Sequence, residues 1–196
     1  DPTSSYAKAA AAAMNRSIDD VIITAMNASA NTGVAGGTST ALPSTQKTAT
    51  SDQSDGLTIA KLLSAKKIMD NNDVDPSLKR YIVCGPQQIS DLLGTTSVTS
   101  ADFNTVRALS TGEVNSFLGF EFIMSTRLNK DATNNTDRLV FAYTEDAIKS
   151  GTGKDIAAKI SERADKSYST QVYYCMSLGA VRMEEKKVVQ IPCHEA

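Results

Sequence analysis

Between Thr3 and Met26 the apolar residues Met14, Ile18, Val21, Ile22 and Ala25 recur at intervals of four, three, one and three. That is the period of a helix with one buried face. Thr3 or Ser4 supplies a cap, and alanine, the best helix former, fills the second and third turns. Arg16, Asp19 and Asp20 fall off the stripe. The pattern predicts one helix over 3–26, roughly 35 Å long at 1.5 Å per residue. A helix of that length spans a domain as a spine.

The period vanishes over 27–56, where Ser, Thr, Ala, Asn and Gly dominate. Val34 and the Thr-rich run permit short strands, and the stretch is long for a structureless loop. It reads either as a binding or assembly loop or as a partly ordered excursion. A second helix is expected over 56–73, capped by Asp55 and lined by Leu62, Ala65 and Met69, with Ile59, Leu63 and Ile68 flanking. Lys61, Lys66 and Lys67 would face water, and Pro76 bars continuation. Residues 81–84 predict a short buried strand. Pro86 opens a helix with Ile89, Leu92 and Leu93 inside, stopped by Gly94. After a Thr/Ser loop from residue 95, Asp102 caps a further helix with Val106 and Leu109 inward.

Residues 117–124 read as an apolar strand broken at Gly119, 129–137 as a polar loop and 139–143 as another strand. Thr144 would cap a short helix through Ile148, and Ser150-Gly151-Thr152-Gly153 reads as a turn. Beyond it, Ile156, Ala158 and Ile160 alternate with Lys159 and Ser161, the period of a half-buried strand. A polar turn over 165–169, an apolar β-prone run over 172–183 and a strand through Val188, Val189 and Ile191 complete what reads as a separate β unit over 154–191. The intervening Glu184-Glu185-Lys186-Lys187 reads as a solvated hairpin tip.

Composition narrows the function classes. The chain has 196 residues, 20 Lys+Arg against 22 Asp+Glu, a net charge of −2, one His, three Cys and no Trp. A free-standing nucleic-acid-binding protein would show a basic excess. The cysteines are too few and scattered for a disulfide scaffold or zinc site. Cys84 and Cys175 lie in apolar segments, as small buried hydrophobes do, whereas Cys193 and His194 read as an exposed tail. No run approaches the roughly 18 apolar residues of a membrane span. The alanine tract 9–13 lacks the flanks of a signal peptide. Asn15, Asn27 and Asn134 match the N-glycosylation pattern, which carries meaning only in a secreted chain. The Ala/Ser/Thr-rich, aromatic-poor profile suits a structural subunit better than an enzyme.

Motifs for chemistry are missing. Gly33, Gly36 and Gly37 do not lead into a helix in a phosphate-binding pattern, and neither GK[ST] nor G-x-S-x-G occurs. One terminal His gives no support for a Cys–His nucleophile. Asp70, Asp73 and Asp75 cluster at a helix end without the order of an EF-hand, so they read as helix-end solvation, with a hard cation as the alternative. Glu162, Arg163, Asp165 and Lys166 place four charges of alternating sign within five residues, between two β segments. Ion pairs can set partner choice and register between subunits. These four are candidate subunit-interface charges, a solvated turn being the other reading. No catalytic residue, cofactor-binding residue, cofactor or metal ligand is assigned.

The ordered series Glu162-Arg163-Ala164-Asp165-Lys166, Gln171-Val172-Tyr173, Gly179-Ala180-Val181-Arg182-Met183 and Val188-Val189-Gln190-Ile191 resembles the major capsid proteins of tailed bacteriophages. Upstream, the helix over 57–70, Ser100-Ala101-Asp102-Phe103-Asn104, and Phe117-Leu118-Gly119-Phe120-Glu121-Phe122 followed by Arg127-Leu128 fit the same family. The resemblance implies an α+β chain of the Hong Kong 97-type capsid fold, with a long spine helix, a peripheral β element and a mixed axial domain. Residues 1–56 would be the spine helix and loop of the peripheral domain, 57–150 the axial domain, and 151–196 the return β segment. It also implies an N-terminal arm and an extended loop before the spine. Nothing here matches them, and the expectation is that they were cut off, deleted or left out.

By the same resemblance the chain is a non-enzymatic subunit of an icosahedral head that encloses viral DNA. Its partners would be copies of itself in hexamers and pentamers, scaffolding and portal proteins, and packaged DNA through nonspecific contact, with no membrane. It would reside in the virion after assembly in the host bacterial cytoplasm. Two other readings stay open: a surface or secreted binding domain, and an enzyme using carboxylates alone, which would need a deep pocket holding two Asp/Glu side chains.

Overall fold

The computed structural model describes residues 2–48, 55–94, 116–132 and 135–195, leaving aside the side chains of 2–4 and 93. The loop from residue 95, the helix expected at Asp102, Val106 and Leu109, the motif at 100–104 and Asn134 lie outside the described residues.

The first helix, α1, runs Pro2–Asn27 as the stripe predicts. Its C-terminal half buries Ile23, Ala25 and Met26, whereas Tyr6 in the first turns is exposed. The stretch that follows folds back in a small antiparallel hairpin, β1 (Ala30–Thr32) against β2 (Thr38–Thr40). Gly33 and Gly36 adopt φ of 87° and 63° in its turn, a region where a side chain would be strained. A 3-10 turn at Ser44–Gln46 then leads to Lys47, which makes a parallel bridge to Gln190.

Helix α2 (Ile59–Asn71) is capped by Thr58, whose hydroxyl accepts from the Lys61 amide at 3.4 Å. Asp55, the expected cap, instead offers its carbonyl to the Lys61 ammonium at 2.6 Å. Lys61 does not face water. Its ammonium also donates to the carbonyls of Gly56 and Pro192, both at 3.0 Å, so it ties the entry of α2 to the last strand.

The central sheet has the order β4-β5-β3-β6-β9. Its strands are β3 (Arg80–Cys84), β4 (Ser116–Phe117), β5 (Phe120–Met124), β6 (Asp137–Thr144) and β9 (Val188–His194). Strands β3 and β5 are parallel, and the other neighbours antiparallel. The expected break at Gly119 is the tight turn joining β4 to β5, with Leu118 and Gly119 at φ of 54° and 86°. Helix α3 (Pro86–Gly94) follows β3 with the predicted start and stop. Ile82, Cys84, Phe120, Val140, Phe141, Val189 and Ile191 from the sheet join Leu62, Met69 and Leu92 from α2 and α3 in one core. Burying whole aliphatic and aromatic side chains in this way is the main stabilising term, about 1.5–3 kcal/mol each.

Strands β7 (Ile148–Arg163) and β8 (Ser169–Arg182) form a separate antiparallel ribbon, paired from Ile148↔Arg182 to Arg163↔Ser169. Four expectations are corrected here. The helix from Thr144 does not form. The Thr144 hydroxyl meets Asp146 at 2.7 Å, and the chain passes through one tight turn into β7. Ser150-Gly151-Thr152-Gly153 is no turn but lies inside β7, because a partner strand is present. The register shifts at Gly153, between Thr152 and Lys154, and again between Lys154 and Ala157. The region 154–191 is not one β unit, since β9 leaves the ribbon and pairs with β6 from Tyr143↔Val188 to Asp137↔His194. Cys193 and His194 are therefore no exposed tail: Cys193 is fully buried, and His194 Nδ1 lies 3.2 Å from Asp137.

The alternation of β7 does mark a strand, but not a half-buried one. Ile156 and Ile160 are 45% and 52% exposed. Helix α1 packs chiefly against β8. Along β8 the even positions Val172, Tyr174, Met176, Leu178 and Ala180 are half-buried, while Tyr173, Ser177, Gly179 and Val181 are exposed. The even face is thus the one turned to the helix.

Candidate assembly surface

Besides the face of β8 that packs on α1, the ribbon is joined to the central sheet through residues 145–147 and 183–187. Met183 donates its amide to the Ala147 carbonyl at 2.8 Å. The Lys187 ammonium bridges Asp146 at 2.5 Å and Glu184 at 3.2 Å. The expected solvated tip at 184–187 is thus a pinned connection between β8 and β9.

Arg182 organises this junction. Its guanidinium, fully buried, donates to the carbonyls of Met26 at 2.9 Å, Ala28 at 2.8 Å and Thr40 at 3.2 Å, and stands 3.9 Å from Glu185. A cation at a helix C-terminus satisfies carbonyls that the helix leaves open and complements its dipole. One side chain thereby joins ribbon, spine helix and the β1–β2 hairpin. Arg127, from the segment after β5, holds Asp20 of α1 through two bonds of 2.7 and 2.5 Å. Sequence reasoning missed both arginines. The signal for Arg182 was a lone cation inside the apolar run 178–183, which a solvated strand does not require.

At the far end of the ribbon, the strands are closed by a 3-10 turn at Ala164–Lys166 followed by Ser167 and Tyr168 at φ of 54° and 57°. The four candidate interface charges all sit at this tip. Arg163 pairs with Asp165 of its own chain at 2.9 and 2.5 Å, which holds the Asp165 carboxyl below its ordinary range. Glu162 and Lys166 do not join that pair.

The acidic cluster is dispersed. Asp70 pairs with the buried Arg80 at 2.8 Å, Asp75 accepts from the Ser77 amide at 2.8 Å, and Asp73 turns the chain at φ of 57°. Among the described residues no group of three His, Cys, Asp or Glu side chains could hold a metal. A hollow of about 540 Å³ lies here, lined by Lys66, Asp70, Asp73, Arg80 and Leu118 among others. The carboxyls of Asp20, Asp75, Asp146, Asp165 and Glu195 are held below the ordinary range, each chiefly by a neighbour's hydrogen bond. A general acid needs the opposite displacement. Burial pushes the Cys84 and Cys193 thiols up to about 12, which removes them as nucleophiles. Among the described residues no helix is long and apolar enough to cross a membrane.

What the geometry offers is surface: a two-stranded ribbon whose edges pair with no further strand among the described residues, exposed apolar residues along it, and a spine helix with Tyr6 exposed near its start. This arrangement has solved counterparts. A Mycobacterium phage Che8 structure is similar with a TM-score of 0.64 and 20% identity, covering 95% of this chain and 61% of that one. The capsid of cyanophage P-SCSP1u gives 0.66 and 17%, covering 98% and 66%. The head of Helicobacter pylori bacteriophage KHP40 gives 0.66 and 10%, covering 100% and 70%. At such identities the likeness is one of fold. The chain spans less than two thirds of the length of the Che8 and P-SCSP1u chains. No curated protein sequence matches it. The family model described as phage capsid protein matches residues 1–195. With its helix, sheet and ribbon in the arrangement of phage heads, the chain belongs to the phage capsid protein family.

Proposed function

We propose that the chain is a structural, non-catalytic subunit of an icosahedral phage head of the Hong Kong 97 type. The observation that carries this is the ribbon. It places Ile156, Ile160 and Tyr173 about half exposed on 30 residues of strand that, among the described residues, join no other sheet. Exposed apolar surface on a rigid projecting element marks a place where another protein packs. A shell supplies that other protein as a further copy, through head-to-tail contacts that close by rotation.

In this reading α1, the β1–β2 hairpin and the ribbon serve as the peripheral domain, and residues 57–150 as the axial domain, completed by β9. Of the 151–196 segment only β7 and β8 are peripheral. Copies meet in hexamers and pentamers, with scaffolding and portal proteins as assembly partners. The near-neutral charge avoids strong self-repulsion, and contact with packaged DNA is nonspecific. The subunit is assembled in the host cytoplasm and ends in the virion. Sedimentation velocity of the full-length protein, expressed alone and with its scaffold, tests the reading. Rings or shells are expected, and a strictly monomeric protein under every assembly condition overturns it.

A further inference from the structure

The face of the ribbon turned away from α1 carries a row of lysines that the strand's own period does not produce. Along an unbroken strand Lys149 and Lys159 share a face, and Lys154, five residues from each, takes the opposite one. The pairing is not unbroken. Lys149 stands opposite Val181, Lys154 opposite Ser177 and Lys159 opposite Tyr173, and these three β8 positions, four residues apart, lie on one face. The register shift between Thr152 and Lys154 turns Lys154 over, and the shift between Lys154 and Ala157 restores the phase. Re-aiming a side chain is a recurrent use of bulges. Gly153 suits the first shift, since a Cβ there would stand only 3.3 Å from the Ser177 hydroxyl. The opposite face holds Arg182, whose bond to the Met26 carbonyl marks it as the helix side.

All three lysines are exposed, and none has an ion pair or side-chain hydrogen bond among the described residues. Between them the same face presents Gly151 opposite Gly179 and Ala157 opposite Cys175, small uncharged pairs that let a partner's backbone come close. The ribbon's acids do not offset the row. Glu162 stands opposite Thr170 and so faces the helix side, Asp165 is held by Arg163, and Asp155 sits inside the second shift without a partner in the pairing. Four residues of β8 separate successive lysines by about 13 Å, so the row is about 27 Å long.

A row of like charges without interspersed acids repels itself and calls for a polyanion. Even spacing along a straight strand suits a polymer whose charges repeat, and duplex DNA carries one phosphate per about 1.7 Å of its axis. Lysine is a point charge on a flexible stem, fit for phosphates at no fixed position, whereas reading a base favours the fork of arginine. The net charge of −2 gives the chain no general attraction for DNA, so the contact is local. We propose that the ribbon face bearing Lys149, Lys154 and Lys159 binds the phosphate backbone of duplex DNA without regard to sequence. The inference rests on the shell reading above and adds the surface of the subunit that meets the enclosed polymer.

The test uses unassembled full-length protein and fluorescent duplexes of two unrelated sequences, each about 12 base pairs, with anisotropy read between about 50 and 200 mM salt. Three phosphate contacts give a slope of log affinity against log salt of about −2.7, a fall of about 40-fold over that range. Lys149→Gln, Lys154→Gln and Lys159→Gln are each expected to make the slope shallower by about 0.9 and to weaken both sequences equally. Lys154→Arg keeps the charge and the slope. Lys67→Gln, at an exposed position of α2, leaves the slope unchanged. A triple glutamine variant with the parent's slope overturns the proposal, as does a parent that binds neither duplex at the lowest salt. An equal loss in Lys67→Gln also overturns it, because charge at large would then account for binding. Glutamine variants that bind DNA as the parent does but assemble poorly assign the face to a protein neighbour and overturn the DNA partner. Binding is read before assembly, so a failure to form shells counts against the shell reading alone.

Discussion

The guanidinium of Arg182, on the last residue of β8, donates to the carbonyl of Met26 at 2.9 Å and so fastens the ribbon to the final turn of the spine helix. With the carbonyls of Ala28 and Thr40 it satisfies three backbone acceptors that arrive from two other elements. Its burial alone would disfavour the charge, and lowers its pKa accordingly. Those acceptors and Glu185 offset the cost.

Removing Arg182 therefore strands buried carbonyls as well as losing a cation. Arg182→Ala is expected to cost about 3–5 kcal/mol in urea unfolding, the scale for breaking a buried charged cluster. Arg182→Lys recovers only part, because an ammonium cannot reach three carbonyls with the planar fork of a guanidinium. A loss below about 1 kcal/mol for the alanine variant would show that the junction is held elsewhere.

Glu195 closes the C-terminal end of the sheet. It takes two bonds from Arg138, at 2.9 and 2.7 Å, and one from Gln88 at 3.0 Å, with its side chain 15% exposed. The Arg138 bonds hold its carboxyl below the ordinary 4.5. The folded state thus favours the ionised form, so this stabilisation is present above that pH and is lost as pH falls through the folded-state value. Glu195→Gln is expected to cost about 1–3 kcal/mol near neutrality. The gap from the parent should narrow steadily as pH drops below 4.5. A gap that stays constant across that range contradicts the pairing.

The three thiols separate by environment. Cys84 and Cys193 are buried with pKa about 12, whereas Cys175 is half-buried on the ribbon. At pH 8 a thiol with that pKa is ionised only about once in 10⁴ molecules. Native protein treated with a thiol-specific alkylating reagent should label at Cys175 first, and the other two should follow only on unfolding. Fast native labelling of Cys193 would place the C-terminal strand outside the sheet.

The exposed face of the ribbon separates folding from assembly. Ile156→Ser and Ile160→Ser are expected to change unfolding stability by less than about 0.5 kcal/mol, as surface substitutions do. In the full-length protein they should lower particle yield. A stability loss above about 1.5 kcal/mol would mean that these isoleucines are packed within their own chain.

Local order was legible in the sequence, and distant pairing was not. The limits of α1 and α3 follow from an apolar stripe, an alanine tract, Pro86 and Gly94, all signals carried by neighbouring residues. The alternation at Ile156 and Ile160 did mark a strand. It was read as half-buried because periodicity reports an apolar face without saying which chain covers it. The assignment of β9 to the central sheet depends on Val188 meeting Tyr143, a choice no local pattern encodes. Lys61 was placed in water for a related reason. Two of its carbonyl partners, Asp55 and Gly56, are close in the chain, but the third, Pro192, is 131 residues away. At the candidate surface, the four charges of the tip were visible as a cluster, but which two pair with each other is a matter of geometry.

The central claim is that this chain builds a shell, and electron cryomicroscopy of particles formed by the full-length protein tests it most directly. The account predicts closed icosahedral particles in which this fold repeats, with ribbons of neighbouring copies in contact. Particles built without ribbon contacts, or a protein that never leaves the monomeric state, would contradict it.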